Sequence, residues 1–311
     1  MTSMTHDAMV RAITAAHSPQ LALPVEPHPM PAFTDGADSE ADAEANVYRA
    51  AKQACLGMGF IDADAECVAQ AWQNMAQRTG RFDASLWPDQ AEDFGLRPWP
   101  RADAFPACPK RLGLYAVLPD AAWVARMAKA GVPTLQLRFK SDDAGAVARE
   151  VKAAVEAVRG RHSLLFINDH WQAAIAAGAY GVHLGQEDMD IANLDAIRKA
   201  GLRLGLSSHG YAEMLRADAH SPSYIAMGAV YATTLKRMVT PPQGHGRLHA
   251  YARLMRDYPL VAIGGVDDTR LDDVLASGVG SVAVVRAIVA AEQPEAVAAR
   301  WMKRIDARNS I

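Results

Sequence analysis

Eight short apolar runs recur between residues 113 and 288 with amphipathic stretches between them, and this alternation restricts the fold more than any other feature. The runs are GLYAVLP (113–119), TLQLRFK (134–140), SLLFIND (163–169), GVHLGQ (181–186), RLGLSSH (203–209), YIAMGAV (224–230), LVAIGGV (260–266) and SVAVVRAI (281–288). Helical segments such as AGAVAREVKAAVEAV and DTRLDDVLASG separate nearly all of them. Near-continuous apolar runs suit strands buried on both faces, and intervening helices imply parallel pairing. Eight such repeats in about 200 residues predict an α/β fold, a (β/α)8 TIM barrel. The alternative, a doubly wound open sheet, lacks its G-x-G-x-x-G turn after the first run.

The chain before residue 111 has another texture. Residues 18–45 are rich in proline and acid and read as a linker or arm. Two helical patterns follow, EANVYRAAKQACLGMG and DADAECVAQAWQNMAQR, the first preceded by a capping box of Ser39 and Asp42. In the second, Val68, Trp72, Met75 and Ala76 share one face. The Trp-Pro pairs at 87–88 and 99–100 mark an extended stretch, because a residue before proline avoids the helical region. We therefore expect an N-terminal extension, residues 1–110, that is small and mainly helical, and a barrel over 111–311.

A net charge of −3 supplies no basic stripe, which argues against nucleic acid as a partner. No apolar run approaches the ~18 residues of a membrane helix. The opening residues lack a secretory h-region, and Cys55, Cys67 and Cys108 fit neither a zinc knuckle nor a disulfide framework. These features point to a cytoplasmic protein without a membrane partner; a homo-oligomer is left open.

In a barrel of this kind, chemistry gathers where strands end. Gln136, Arg138 and Lys140 alternate along the second run and so share a face. Cations at a barrel mouth need an anion, either a ligand or the carboxylate of an internal salt bridge. Asn168-Asp169 ends the third run and Gln186-Glu187-Asp188 follows the fourth; each reads as a helix cap or as a site. Two facing carboxylates repel by about 4 kcal/mol at about 4 Å in an effective dielectric near 20, so a cation should lie between them. Carboxylate oxygens select a hard ion, and Mg²⁺ with a pyrophosphate fits the nearby Arg138, Lys140 and Lys236. Ser207-Ser208-His209 has no nucleophile elbow around it, so a hydroxyl donating to phosphate is the milder functional reading. His183, inside a strand, reads equally as core or as substrate contact. Gly264-Gly265 and the Val285-Arg286 segment offer backbone amides to a second phosphate.

QLRFK, FINDHWQAAIAAGAYGVHLGQED, GLSSH, ATTLK with its PPQG tail, VAIGGV and SVAVVRAI together resemble the thiamine phosphate synthase family, over residues 110–308. The resemblance implies a transferase of thiamine biosynthesis. It would couple 4-amino-2-methyl-5-pyrimidinylmethyl diphosphate to a thiazole phosphate, through a dissociative, carbocation-like substitution that releases pyrophosphate. It implies that Gln136, Arg138 and Lys140 bind the pyrimidine diphosphate, with Asn168, Ser207 and Lys236 completing the shell. Asp169 and Asp188 would be Mg²⁺ ligands, and Thr233, Gly265, Val285 and Arg286 would hold the thiazole phosphate. Two positions depart from the family pattern: Leu235 replaces a threonine and Arg286 a serine. Both fall on the thiazole side. Two rival readings are a thiazole phosphate tautomerase-like barrel and a non-catalytic ligand-binding barrel with an interaction domain.

Overall fold

The computed structural model describes residues 4–24, 40–233 and 240–309. Eight parallel strands close into a barrel in sequence order, each paired with its chain neighbours and the eighth with the first. The strands are β1 (Gly113–Leu118), β2 (Thr134–Leu137), β3 (Leu164–Asn168), β4 (Gly181–Leu184), β5 (Arg203–Ser208), β6 (Tyr224–Met227), β7 (Leu260–Ile263) and β8 (Ser281–Val284). Each falls inside one of the eight apolar runs. The tails of the runs lie beyond the strands, where side chains reach the mouth.

Among the described residues three α-helices precede the barrel, α1 (His6–Leu21), α2 (Glu40–Gly57) and α3 (Asp62–Thr79), followed by a short 3-10 turn at Ala91–Phe94. The others surround it: α4 (Ala121–Lys129), α5 (Ala144–Val158), α6 (Trp171–Ala177), α7 (Asp188–Ile191), α8 (Leu194–Lys199), α9 (Tyr211–Ala219), α10 (Gly244–Leu254), α11 (Leu271–Ala276), α12 (Arg286–Val289) and α13 (Pro294–Asn309). Among the described residues no helix is long and apolar enough to cross a membrane.

Two apolar clusters hold the fold. One fills the barrel interior with Leu112, Tyr115, Val117, Phe166, Tyr224, Ala226, Val261 and Ala283. Its three rings need room, and two glycines provide it. A Cβ at Gly181 would lie 2.5 Å from Phe166 Cε1, and one at Gly205 would lie 2.1 Å from Tyr224 Cζ. The larger cluster lies between strands and helices and runs without a break into the N-terminal helices, through Ile13, Ala54, Phe60, Val68 and Trp72.

Helix α1 is a correction to the sequence reading, which assigned no element there and began the linker at residue 18. Thr5 caps it by accepting from Ala8 N, and Met9, Ile13, His17 and Leu21 are buried four residues apart along one face. Helix α3 matches its pattern, with Val68, Trp72 and Met75 buried and Ala76 half-buried. The expected capping box of Ser39 and Asp42 lies outside the described residues and side chains.

The extension grips the barrel through polar contacts as well. Asp64 Oδ1 of α3 accepts from Ala212 N at 2.9 Å and so caps α9, whose own cap residue, Gly210, has no side chain. Trp87 Nε1 donates to Tyr211 Oη at 2.8 Å. In the extended stretch, Arg101 forms a buried ion pair with Asp218 at 2.7 Å, and Phe105 N donates to Ser221 O at 3.0 Å.

Candidate active site

A cavity of about 640 Å³ opens at the C-terminal ends of the strands. Below it a chain of polar groups crosses the barrel. Gln136 Nε2 donates to Tyr115 Oη at 3.0 Å, and Tyr115 Oη lies 2.7 Å from Tyr224 Oη. Tyr224 Oη lies 2.7 Å from His183 Nδ1, whose Nε2 is 2.8 Å from Ser207 Oγ. Burial pushes both phenols above their ordinary range, which keeps them protonated hydrogen-bonding groups. His183 is 8% exposed and has both nitrogens engaged, so it links this chain at the cavity floor. The two tyrosines were not singled out in the sequence. Their signal was available: in GLYAVLP and YIAMGAV each occupies an interior-facing position that an apolar residue would otherwise fill.

One side of the mouth is charged. Gln136, Arg138, Lys140, Asn168, Asp169, Asp188 and Ser207 all line the cavity. Arg138 is held at the end of β2 by its backbone N, which donates to Leu118 O at 2.8 Å. Among the described residues neither Arg138 nor Lys140 forms an ion pair, so the internal salt bridge left open by the sequence is not made there. Nor do Asn168 and Asp169 cap α6, since His170 occupies that position without a side-chain bond. Asp169 adopts φ 62°, in the left-handed region, which turns the chain sharply at the tip of β3. Asp188 Oδ2 accepts from Gly185 N at 3.1 Å, which fixes its carboxylate beside the mouth.

The carboxyl of Asp169 is held above its ordinary range, first by desolvation against the cavity wall and then by the facing Asp188. The nearby His170 and the Arg138 guanidinium only partly offset this. Among the described residues no three His, Cys, Asp or Glu side chains are gathered as a metal cluster. Mg²⁺ ordinarily takes one or two carboxylates and completes its octahedron with water and substrate phosphate. Two facing carboxyls, one of them held above its ordinary range by burial and by the other, form a donor set that fits that ion.

The other side is built from backbone. Past β6, Val230 N donates to Ile263 O at 3.0 Å and Tyr231 N to Gly264 O at 2.9 Å, which prolongs the pairing to the rim. Gly265 turns there with φ 63°, and a Cβ on it would lie 2.5 Å from Ala232 O. Thr233, Gly265, Val285 and Arg286 line this side of the cavity. Arg270, missed in the sequence because it lies five residues past the glycine pair, lines it too. Its Nη1 donates to Gly265 O at 2.9 Å, and its guanidinium stands 4.7 Å over the Tyr231 ring. Leu235 and Lys236 lie outside the described residues.

A family model described as thiamine monophosphate synthase matches residues 114–288. A thiamine-phosphate synthase of Neisseria gonorrhoeae (strain ATCC 700825 / FA 1090) is 54% identical over 193 residues, 62% of this chain and 94% of the relative. One from Yersinia pestis (strain Pestoides F) is 47% identical over 204 residues, 66% of this chain and 95% of the relative. Among solved structures, thiamine phosphate pyrophosphorylase from Pyrococcus furiosus superimposes with a TM-score of 0.57 at 25% identity, over 63% of this chain and 96% of that one.

Proposed function

The chain belongs to the thiamine monophosphate synthase family, and on that premise we propose that its cavity joins 4-amino-2-methyl-5-pyrimidinylmethyl diphosphate to a thiazole phosphate, giving thiamine phosphate and pyrophosphate. The observation that carries this reading is the division of the mouth. Cations that form no ion pair among the described residues stand with a carboxyl pair on one side, and a glycine turn faces them on the other. Two phosphorylated substrates that meet head to head need such a division.

In this reaction the bond between the pyrimidine methylene carbon and the diphosphate oxygen breaks, and the oxygen keeps the electron pair. The thiazole nitrogen then supplies its lone pair to the same carbon. No protein nucleophile is required; the rate rests on alignment and on stabilising the charge of the leaving group. Arg138 and Lys140 would meet that charge, with Lys236 joining them from the sixth loop. Gln136 and Asn168 would orient the pyrimidine diphosphate, and Ser207 would donate a hydrogen bond to a phosphate oxygen. His183 would hold Ser207 in place from below. Asp169 and Asp188 would hold Mg²⁺, which when bound supplies positive charge to the departing pyrophosphate. Thr233, Gly265, Val285 and Arg286 would seat the thiazole phosphate, with Leu235 contributing only apolar contact. We place the reaction in the cytoplasm, in keeping with three free thiols.

The test is direct. Purified protein given both substrates and Mg²⁺ should release pyrophosphate and form thiamine phosphate in equal amounts. Binding of both substrates without turnover under any divalent ion would favour a ligand-binding barrel. Ring isomerisation of the thiazole phosphate without coupling would favour a tautomerase.

A further inference from the structure

Arg247 stands near the start of α10 and is only 2% exposed. Its guanidinium is shared between the barrel and the N-terminal extension. Nε donates to Leu21 O, the last carbonyl of α1, and Nη2 donates to Met58 O just past α2, both at 2.9 Å. Nη1 donates to Gln243 Oε1 at 3.1 Å. Among the described residues no carboxylate pairs with it directly, so this buried cation is held by carbonyls, two of them from the extension. The contact is close along its length: a Cβ at Gly246 would lie 1.9 Å from Gln20 O.

Gln243 carries the connection onward. It is 5% exposed, and its Oε1 also accepts from Tyr251 Oη at 2.9 Å. Its backbone N donates to Ala229 O at 2.9 Å, and Gly244 N donates to Val230 O at 2.8 Å. On the other edge of the same segment Val230 N and Tyr231 N donate to Ile263 O and Gly264 O beside the cavity. Hydrogen bonds linked by short lengths of chain therefore run from the ends of α1 and α2, through Arg247 and Gln243, to the glycine turn.

We propose that the N-terminal extension positions the thiazole phosphate side of the active site, with Arg247 and Gln243 as the positioning residues. The inference rests on the assignment of that side given under the proposed function. Its physical basis is the cost of leaving a buried guanidinium without acceptors. Deprived of Leu21 O and Met58 O, Arg247 must turn toward water and release Gln243, and the segment 229–231 then loses the support on one of its edges. The charged side of the mouth, on β2 to β5, has no part in this series.

The full-length Arg247→Met variant tests it by two readouts. The KM for the thiazole phosphate should rise about tenfold while that for the pyrimidine diphosphate stays within about twofold. Amide exchange should quicken at Val230, Tyr231, Gln243 and Gly244. Equal shifts in both KM values, or unchanged exchange at those amides in a folded variant, would overturn the proposal. If Arg247→Met does not fold, Tyr251→Phe removes one of the two donors to Gln243 Oε1; it should show the same split at about threefold, and an absent split overturns the proposal equally. A wild-type protein that makes no thiamine phosphate would refute the assigned reaction, and the exchange measurement would still decide whether Arg247 holds this segment.

Discussion

Replacing Gly205 by alanine should damage stability and turnover together, through one ring. Gly205 on β5 is the register partner of Tyr224 on β6. An added Cβ would lie 2.1 Å from Tyr224 Cζ, 2.2 Å from Cε1 and 2.4 Å from Oη. Carbon atoms rest at about 3.5–4 Å, so the ring must retreat by more than about 1 Å. It cannot retreat freely, because Tyr224 is fully buried and its Oη is tied to Tyr115 Oη and His183 Nδ1 at 2.7 Å each. Displacement on that scale takes both bonds out of range. Overpacking costs about 1–3 kcal/mol and stranded buried hydroxyls about 1–3 more, so we expect a loss of about 2–6 kcal/mol by urea denaturation. A typical domain survives that loss, so kinetics remain measurable. Since His183 would no longer be held toward Ser207, kcat should fall as well. Adding Tyr224→Leu should restore part of the stability without restoring kcat. A Gly205→Ala protein within about 0.5 kcal/mol of wild type, with unchanged kcat, would refute the reasoning.

Other outcomes follow from the same contacts. Asp188→Asn should cut Mg²⁺-dependent coupling by about 100-fold or more, measured as pyrophosphate release. Because the folded-state pKa of Asp169 is raised, its contribution to stability without metal is present at acidic pH and is lost as pH rises from the ordinary aspartate range through the raised value. Melting temperature measured across that window should fall with rising pH, and Asp188→Asn should weaken the trend. Asp64→Ala leaves the first turn of α9 uncapped and should cost about 1–2 kcal/mol by chemical denaturation, with little effect on either KM. Burial pushes the thiols of Cys67 and Cys108 up to about 11 and about 12, so at neutral pH both should resist alkylation until the protein is unfolded.

The strands were readable because burial on both faces writes them as continuous apolar runs. Their ends were less so: in TLQLRFK the strand stops at Leu137, and the last three residues form the loop that carries Arg138 and Lys140. Helix α1 escaped notice because its buried stripe includes His17 and because Pro19 stands in its last turn. Arg270 and Arg247 could not be assigned from sequence either. Arg270 is recruited by the carbonyl of Gly265, five residues back and off any helical or strand period, and Arg247 by carbonyls of residues 21 and 58, so distant along the chain that they leave no periodic trace.

The row of groups beneath the cavity has a direction. An amide N–H of Gln136 can only donate, so the hydroxyl of Tyr115 that receives it is left to give its own hydrogen to Tyr224. Tyr224 then gives its hydrogen to His183 Nδ1, which makes the imidazole the Nε2–H tautomer and turns that hydrogen onto Ser207 Oγ. Ser207 is the last in the row, and its hydroxyl hydrogen is directed away from His183 and is available to an oxygen in the cavity. Five side chains on five strands thus act as a one-way polarity, which delivers a hydrogen-bond donor to the mouth without any formal charge moving through the barrel.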